Sequence, residues 1–290
     1  MLEYSSKVSN MQYFTLRNGV KLPQLGFGTY KVEDPREGKQ AILNAVEAGY
    51  RLFDTAQVYH NEEVVGEALK ESGLPRQELF ITTKIRFKDN HDPIKGLEES
   101  FKKLQVDYID LVLIHWPYGD YLHAYKVLED YYKQGRIKAI GVSNFEPSRL
   151  IDLINQVEIP PMVNQIEANV YAQRHEEMKW YNKYGVVIQA HCPLGHGKTP
   201  EIFQEETLIK IGKKYNKTSA QVALRYLLDR GIGIVPKASS KAHMLDNFNI
   251  LDFKLSEIDM EEIRKIDKCF PIVGRPEDPI VVEKMWAKDE

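Results

Sequence analysis

The sequence predicts an α/β protein: a single (β/α)8 TIM barrel with an N-terminal β-hairpin plug and two additional helices. Three observations lead there. Eight short strand-like runs alternate with eight helical patterns along the 290 residues. Several runs, such as Ile109-Asp-Leu-Val-Leu-Ile, are near-continuously apolar, as strands buried on both faces are. No composition shift, linker or low-complexity tract divides the chain, and its length suits one barrel domain of roughly 250 residues over 1–290.

Residues 1–10 read as a flexible extension, with Met11 a candidate alternative start. Phe14-Thr-Leu-Arg, then Asn18-Gly19, then Val-Lys-Leu form a hairpin around the strongest two-residue turn signal. Strands are expected at 24–28, 52–55, 79–84, 108–115, 137–143, 162–167, 186–191 and 232–236. The first helix spans 35–48, with Asp34 as its N-cap, Pro35 in its first position and Gly49 past its end. Further helices are expected near 61–72, 93–105, 121–134, 147–156, 174–184, 204–215 and 241–248. Two amphipathic segments break the alternation, 218–230 before the last strand and 256–268 after the eighth helix.

Composition narrows the function classes. The 39 basic and 42 acidic residues give a formal charge of −3, which is no basic footprint for nucleic acid. No apolar run approaches the roughly 20 residues that span a bilayer, and the start lacks the apolar core of a signal peptide. With only Cys192 and Cys269 present, a disulfide framework is not expected, and a reducing, cytoplasmic setting is the default.

Barrel active sites lie at the carboxyl ends of the strands, so position becomes a functional expectation. The second strand ends at Asp54, and Tyr59 stands in the loop that follows; the third ends at Lys84 and the fourth at His115. Each has a bland account: a turn-capping acid, a half-buried aromatic, a solvated lysine, a core histidine. Together at adjacent strand ends they suit one chemistry. A tyrosine, with an ordinary pKa near 10, becomes a usable proton donor when an ammonium stabilises its phenolate and a carboxylate fixes that ammonium. A neutral histidine can donate to a bound carbonyl oxygen and orient it. No side chain supplies hydride, so a nicotinamide cofactor is required.

GYRLFDTAQVYHNEEVVGEAL, FITTK, IDLVLIHWP, GVSNF, NQIEANVY and IVPKASS, in this order over nearly all of Tyr13 to Asp278, resemble the aldo-keto reductases. The resemblance is closest to bacterial diketogluconate-reductase-like members. It implies NADPH-dependent reduction of aldehydes and ketones, a monomer in most members, and a catalytic set of Asp54, Tyr59, Lys84 and His115, with Tyr59 the proton donor. It further implies that Ser143, Asn144 and Gln165 bond the nicotinamide carboxamide, with Thr29, Tyr30, Asp54 and Leu194 among the cofactor contacts. Tyr30, His115 and Trp116 line the substrate pocket by the same resemblance, and its short loops suggest an open pocket for small or polar carbonyls. Gly26-Phe-Gly28 is not a dinucleotide fingerprint, because the third glycine of that pattern is missing.

Two departures stand out. His191 occupies the place of the tyrosine that stacks on the nicotinamide, followed by Cys192, a modifiable thiol or an inert buried one. In the adenosine 2′-phosphate segment Lys237 is kept, Ala238 replaces a hydroxyl residue, and His243 replaces a phosphate-gripping arginine. Ser239, Ser240 and the helix beginning near Lys241 can still receive phosphate, and Asp246 and Asn247 stand at the adenine and ribose positions. The expectation is NADPH use with a reduced preference over NADH. Two other readings are carried: a non-catalytic nucleotide-binding regulatory or structural relative, and a metal-dependent barrel hydrolase. Against the latter, the first strand has no His-x-His and Lys84 sits where a ligand is wanted, so no metal is expected.

Overall fold

The structure, a computed structural model, describes residues 11–287 apart from 33, 90, 196–198 and 239. Tyr13–Thr15 (β1) and Lys21–Pro23 (β2) pair antiparallel around Asn18-Gly19. Gly19 has φ +88°, which is why the turn wants a glycine there. The barrel strands are Gly26–Gly28 (β3), Leu52–Asp54 (β4), Phe80–Ile85 (β5), Ile109–Ile114 (β6), Ile137–Ser143 (β7), Val163–Glu167 (β8), Val187–His191 (β9) and Gly233–Ile234 (β10). Each pairs in parallel with its neighbour in chain order. A parallel bridge between Leu25 and Ile234 closes the ring. The Ile234 N–H donates to Gln24 O (2.8 Å) and the Gly28 N–H to Pro236 O (3.1 Å) across that seam.

The hairpin covers the amino ends of the strands. Leu16 and Leu22 are buried with Leu52, Phe80, Leu111 and Met162 in one apolar cluster. Arg17 fastens the tip by donating to the carbonyls of Tyr184 (2.8 Å) and Gly185 (3.2 Å). The two glycines of Gly26-Phe-Gly28 are explained here by packing. A Cβ on Gly26 would lie 2.1 Å from Leu52 Cδ2, and one on Gly28 2.7 Å from the Val235 carbonyl oxygen.

Around the barrel run Pro35–Ala48 (α1), Glu62–Glu71 (α2), Pro93–Leu104 (α3), Tyr121–Lys133 (α4), Pro147–Ile154 (α5), His175–Lys183 (α6), Glu201–Gln204 (α7), Glu206–Tyr215 (α8), Ser219–Asp229 (α9), Lys241–Phe248 (α10), Glu257–Arg264 (α11) and Pro279–Ala287 (α12). Asp34 caps α1 by accepting from the Arg36 and Glu37 N–H groups, and Gly49 ends it at φ +113°. Thr218 and Gln221 form a capping box on α9. Among the described residues no helix is long and apolar enough to cross a membrane.

The two additional helices are present as α9 and α11, but they are not the whole addition. α7 is a short extra turn, and α12 ends the described chain as a helix beyond those expected from the sequence. Val282 and Met285 of α12, with Val273, pack on Phe87, Trp116 and Tyr118, and the Trp286 ring meets Phe87 at 5.0 Å. Glu167, at the carboxyl end of β8, accepts the backbone N–H groups of Ile272 (2.6 Å) and Val273 (2.7 Å). Tyr118 Oη donates to Pro276 O at 2.8 Å. The tail is therefore strapped over the Trp116 side of the mouth, which corrects the expectation of an open pocket there. The apolar spacing of Val282, Met285 and Trp286 behind Pro279 is the helical signal that this strap carries.

Candidate active site

Asp54, Lys84 and His115, at or just past strand ends, converge with Tyr59 of the loop after β4. Lys84 is fully buried in β5, and its ammonium donates to Asp54 Oδ1 (2.7 Å), to the Thr55 carbonyl (2.9 Å) and toward Tyr59 Oη (3.5 Å). The same Nζ lies 4.9 Å from the Tyr59 ring centroid. Burial lowers the Lys84 pKa, and the Asp54 carboxylate opposes that shift. Tyr59 ends a single 3₁₀ turn, Gln57–Tyr59, closed by His60 at φ +51°. Its ring meets Tyr30 at 5.1 Å and His115 at 5.9 Å, both edge to face.

Supports for this loop were not identified from the sequence. Gln57 accepts from the Arg86 N–H (2.9 Å) and donates to Ser100 Oγ (3.1 Å). Asn61 is fully buried, accepts from Thr55 Oγ1 (2.6 Å), and donates to the carbonyls of Thr29 (2.7 Å) and Val32 (3.2 Å). It thereby ties the loop after β3 to the loop carrying Tyr59.

A second surprise lies inside the barrel. Gln165 Nε2, expected to face a carboxamide, donates to Asp54 Oδ2 (2.7 Å) and to Gln189 Oε1 (2.7 Å). Lys84, Asp54, Gln165 and Gln189 thus form one buried polar row, with Gln189 Nε2 at its end buried and lacking a partner. Thr29 Oγ1 donates to Asp54 O (3.0 Å), and Ser143 Oγ to Gln165 O (2.8 Å). Asn144, at φ +62°, donates through Nδ2 to His115 O (3.0 Å) and Ser143 Oγ (3.2 Å). Its Oδ1 meets His191 Nε2 at 2.9 Å, and His191 Nδ1 stands 3.2 Å from Cys192 Sγ. Leu194 packs half-buried against the core.

His115 follows β6, with Trp116 beside it at a ring separation of 6.3 Å. Its Nδ1 is buried without a partner. Burial first, then the Lys84 and His191 charges, hold this imidazole well below its ordinary 6.5. The unfolded chain takes up that proton at the ordinary value and the folded chain does not, so stability is lost as pH falls through 6.5. His115→Asn is therefore expected to blunt the drop in urea midpoint between about pH 7 and 5.5. An equal drop in parent and variant would refute a neutral, buried His115.

The second expected cluster follows β10. Lys237 is exposed, Ala238 is buried, and Ser240 caps α10 by accepting from the His243 N–H (3.2 Å). The His243 side chain is exposed, as is that of Asp246, whose carbonyl accepts from Gln221 Nε2 (3.0 Å), while Asn247 is buried. Ser239 lies outside the described residues. An ammonium, a serine hydroxyl and a helix amino end fit a phosphate. Near Asp54, an amide acceptor and hydroxyl and amide groups beside the tetrad fit a carboxamide-bearing ring. No group of three or more metal-ligating side chains gathers among the described residues.

Known proteins are similar to this chain in sequence and fold. The model of the Aldo/keto reductase family matches residues 24–268. The chain is 39% identical over 272 residues to a 9,11-endoperoxide prostaglandin H2 reductase of Trypanosoma cruzi, covering 93% of this chain and 96% of that protein. It is 40% identical over 266 residues to a glyoxal reductase of Bacillus subtilis, covering 91% and 95%. A crystal structure of a Bombyx mori aldo-keto reductase in complex with NADP superposes with a TM-score of 0.85 at 32% identity, covering 90% and 94%. These matches bear out the resemblance drawn from the motifs.

Proposed function

The chain belongs to the aldo/keto reductase family and is an oxidoreductase that reduces aldehydes and ketones with a nicotinamide cofactor; we propose that it prefers NADPH weakly over NADH and acts on small α-oxoaldehydes. When bound, the nicotinamide supplies the hydride. The remaining work falls to the chain. Tyr59 Oη gives its proton to the carbonyl oxygen, Lys84 stabilises the phenolate left behind, and Asp54 holds Lys84 in place. Neutral His115 donates from Nε2 to the same oxygen and orients it. The observation that carries this reading is the buried Lys84–Asp54 pair set against Tyr59 Oη.

Ser143, Asn144 and Gln165 Oε1 would hold the carboxamide, with Thr29, Tyr30, His191, Cys192 and Leu194 around the ring. Lys237, Ser240, His243 and the amino end of α10 would receive the adenosine phosphate, beside Ala238, Asp246 and Asn247. Lys237 retains a cation there, whereas an imidazole lacks the bidentate fork that fits phosphate. Tyr30, His115 and Trp116 would line the substrate pocket. The tail packed on Trp116 narrows that side, which supports a small carbonyl of the kind in the glyoxal reductase's name. Two cysteines that form no disulfide suit the cytoplasm, where the enzyme would work as a monomer.

Titration with both cofactors by tryptophan quenching, with turnover on glyoxal, tests the proposal. The two Kd values are expected within about 100-fold of each other, or roughly 2.7 kcal/mol. His243→Arg should tighten NADPH about tenfold, or roughly 1.4 kcal/mol, and leave NADH unchanged. An arginine that tightened both equally would remove His243 from the 2′-phosphate site.

A further inference from the structure

The row formed by Asn144, His191 and Cys192 has chemistry of its own. Asn144 Nδ2 points at the His115 carbonyl, 3.0 Å away, and a carbonyl can only accept. That contact orients the amide, so the atom facing His191 Nε2 at 2.9 Å is the carbonyl oxygen Oδ1. Nε2 must then carry the imidazole proton. The neutral ring presents its Nδ1 lone pair to Cys192 Sγ, at 3.2 Å. A thiol against an imidazole base, with the base oriented by an amide oxygen, is the recurring arrangement of activated cysteines.

The surroundings favour the same outcome. Cys192 is held in the left-handed region at φ +52°, and its carbonyl accepts from the Gly195 N–H at 2.9 Å. Among the described residues the ammonium of Lys84 on β5 is electrostatically linked to Cys192. A nearby ammonium stabilises a thiolate. The chain also carries its own control. Cys269 is exposed, and the Asp267 carboxylate pushes its thiol pKa up.

We propose that Asn144, His191 and Cys192 form a thiol-activating triad that makes Cys192 a covalent modification site for small carbon electrophiles in the nicotinamide pocket. With an α-oxoaldehyde, the thiol proton passes to His191 Nδ1 and sulfur bonds to the aldehyde carbon. The C=O π pair moves to oxygen, which takes the proton back from the imidazolium. The product is a hemithioacetal, formed reversibly with no oxidation or reduction. With iodoacetamide the S–C bond forms as the C–I bond breaks, iodide leaves, and the proton passes through His191 to solvent. A bound nicotinamide would cover this thiol, an arm that rests on the cofactor placement proposed above.

The test is alkylation of the intact chain by iodoacetamide near pH 7, followed by mass spectrometry of the two cysteine peptides. Half-buried Cys192 is expected to react at least about tenfold faster than exposed Cys269. His191→Phe and His191→Asn, each checked for an unchanged Tm, should both bring Cys192 below Cys269. A Cys192 no faster than Cys269 in the parent, or undiminished in both variants, overturns the triad. Slowing of Cys192 alone by saturating NADP+ supports its place in the cofactor pocket. A fast Cys192 without such protection overturns that placement.

Discussion

Replacing Tyr59 with phenylalanine is expected to lower kcat about a thousandfold, because a positioned proton donor contributes roughly 10²–10⁴. The loss should be confined to chemistry. The Tyr59 ring makes edge contacts to Tyr30 and His115 that phenylalanine keeps, and the loop beneath it is held by Gln57 and Asn61 rather than by the phenol. What disappears is the oxygen 3.5 Å from the Lys84 ammonium. Single-turnover assays, paired with NADPH titration by tryptophan fluorescence, separate the two effects. A variant that kept more than about a tenth of kcat would remove Tyr59 as the proton donor. Loss of cofactor binding together with turnover would instead make the phenol part of the binding wall.

Lys84→Met is expected to cost about 3–5 kcal/mol of stability as well as most of the turnover, since it leaves the Asp54 carboxylate buried without its counter-charge. The pair sits at 2.7 Å, with Lys84 fully buried and Asp54 nearly so. Gln165 would still donate to Asp54 Oδ2, but an amide dipole does not replace an ammonium. Adding Asp54→Asn to Lys84→Met removes the stranded charge, so much of the stability should return while turnover does not. Urea unfolding of the two single variants and the double variant gives the coupling directly. Additive losses would mean that the two groups do not act as a pair.

The parts of the molecule written locally were legible in the sequence. α1 and α10 occupy 35–48 and 241–248 as expected, and for α1 the reason is that Asp34, Pro35 and Gly49 are terminal signals that act on their own neighbours. Most strands came out a residue or two shorter than the apolar runs, since a run can extend past its last ladder hydrogen bond. Asp54, Lys84, His115 and Tyr59 could be gathered because they sit at strand carboxyl ends or in the loop after one, and the barrel brings such ends together. Partners far apart in the chain could not be read. Asn61 lies just before α2, where a cap would be expected, yet its side chain turns inward to residues around 30 positions earlier. Gln189 interrupts an apolar strand, and nothing local says that Gln165 will bind it and reach Asp54. The α12 strap depends on Glu167, more than a hundred residues before the amides it accepts.

The seam between β3 and β10 sets an order on how this molecule can come into being. Leu25 is made early and Ile234 late, and until they meet the sheet has two open edges with unpaired backbone groups. Contacts of such long sequence separation form slowly, so ring closure is expected to be a late step of folding. β4, β5 and β6, which carry Asp54, Lys84 and His115, are consecutive in chain and in space. Their residues can assemble on an open sheet while the nascent chain is still being completed. Lys237, Ser240 and His243 follow β10 and reach their places only when the last strand docks. An unclosed intermediate would carry Asp54, Lys84 and His115 on or just past neighbouring strands before Lys237, Ser240 and His243 have docked.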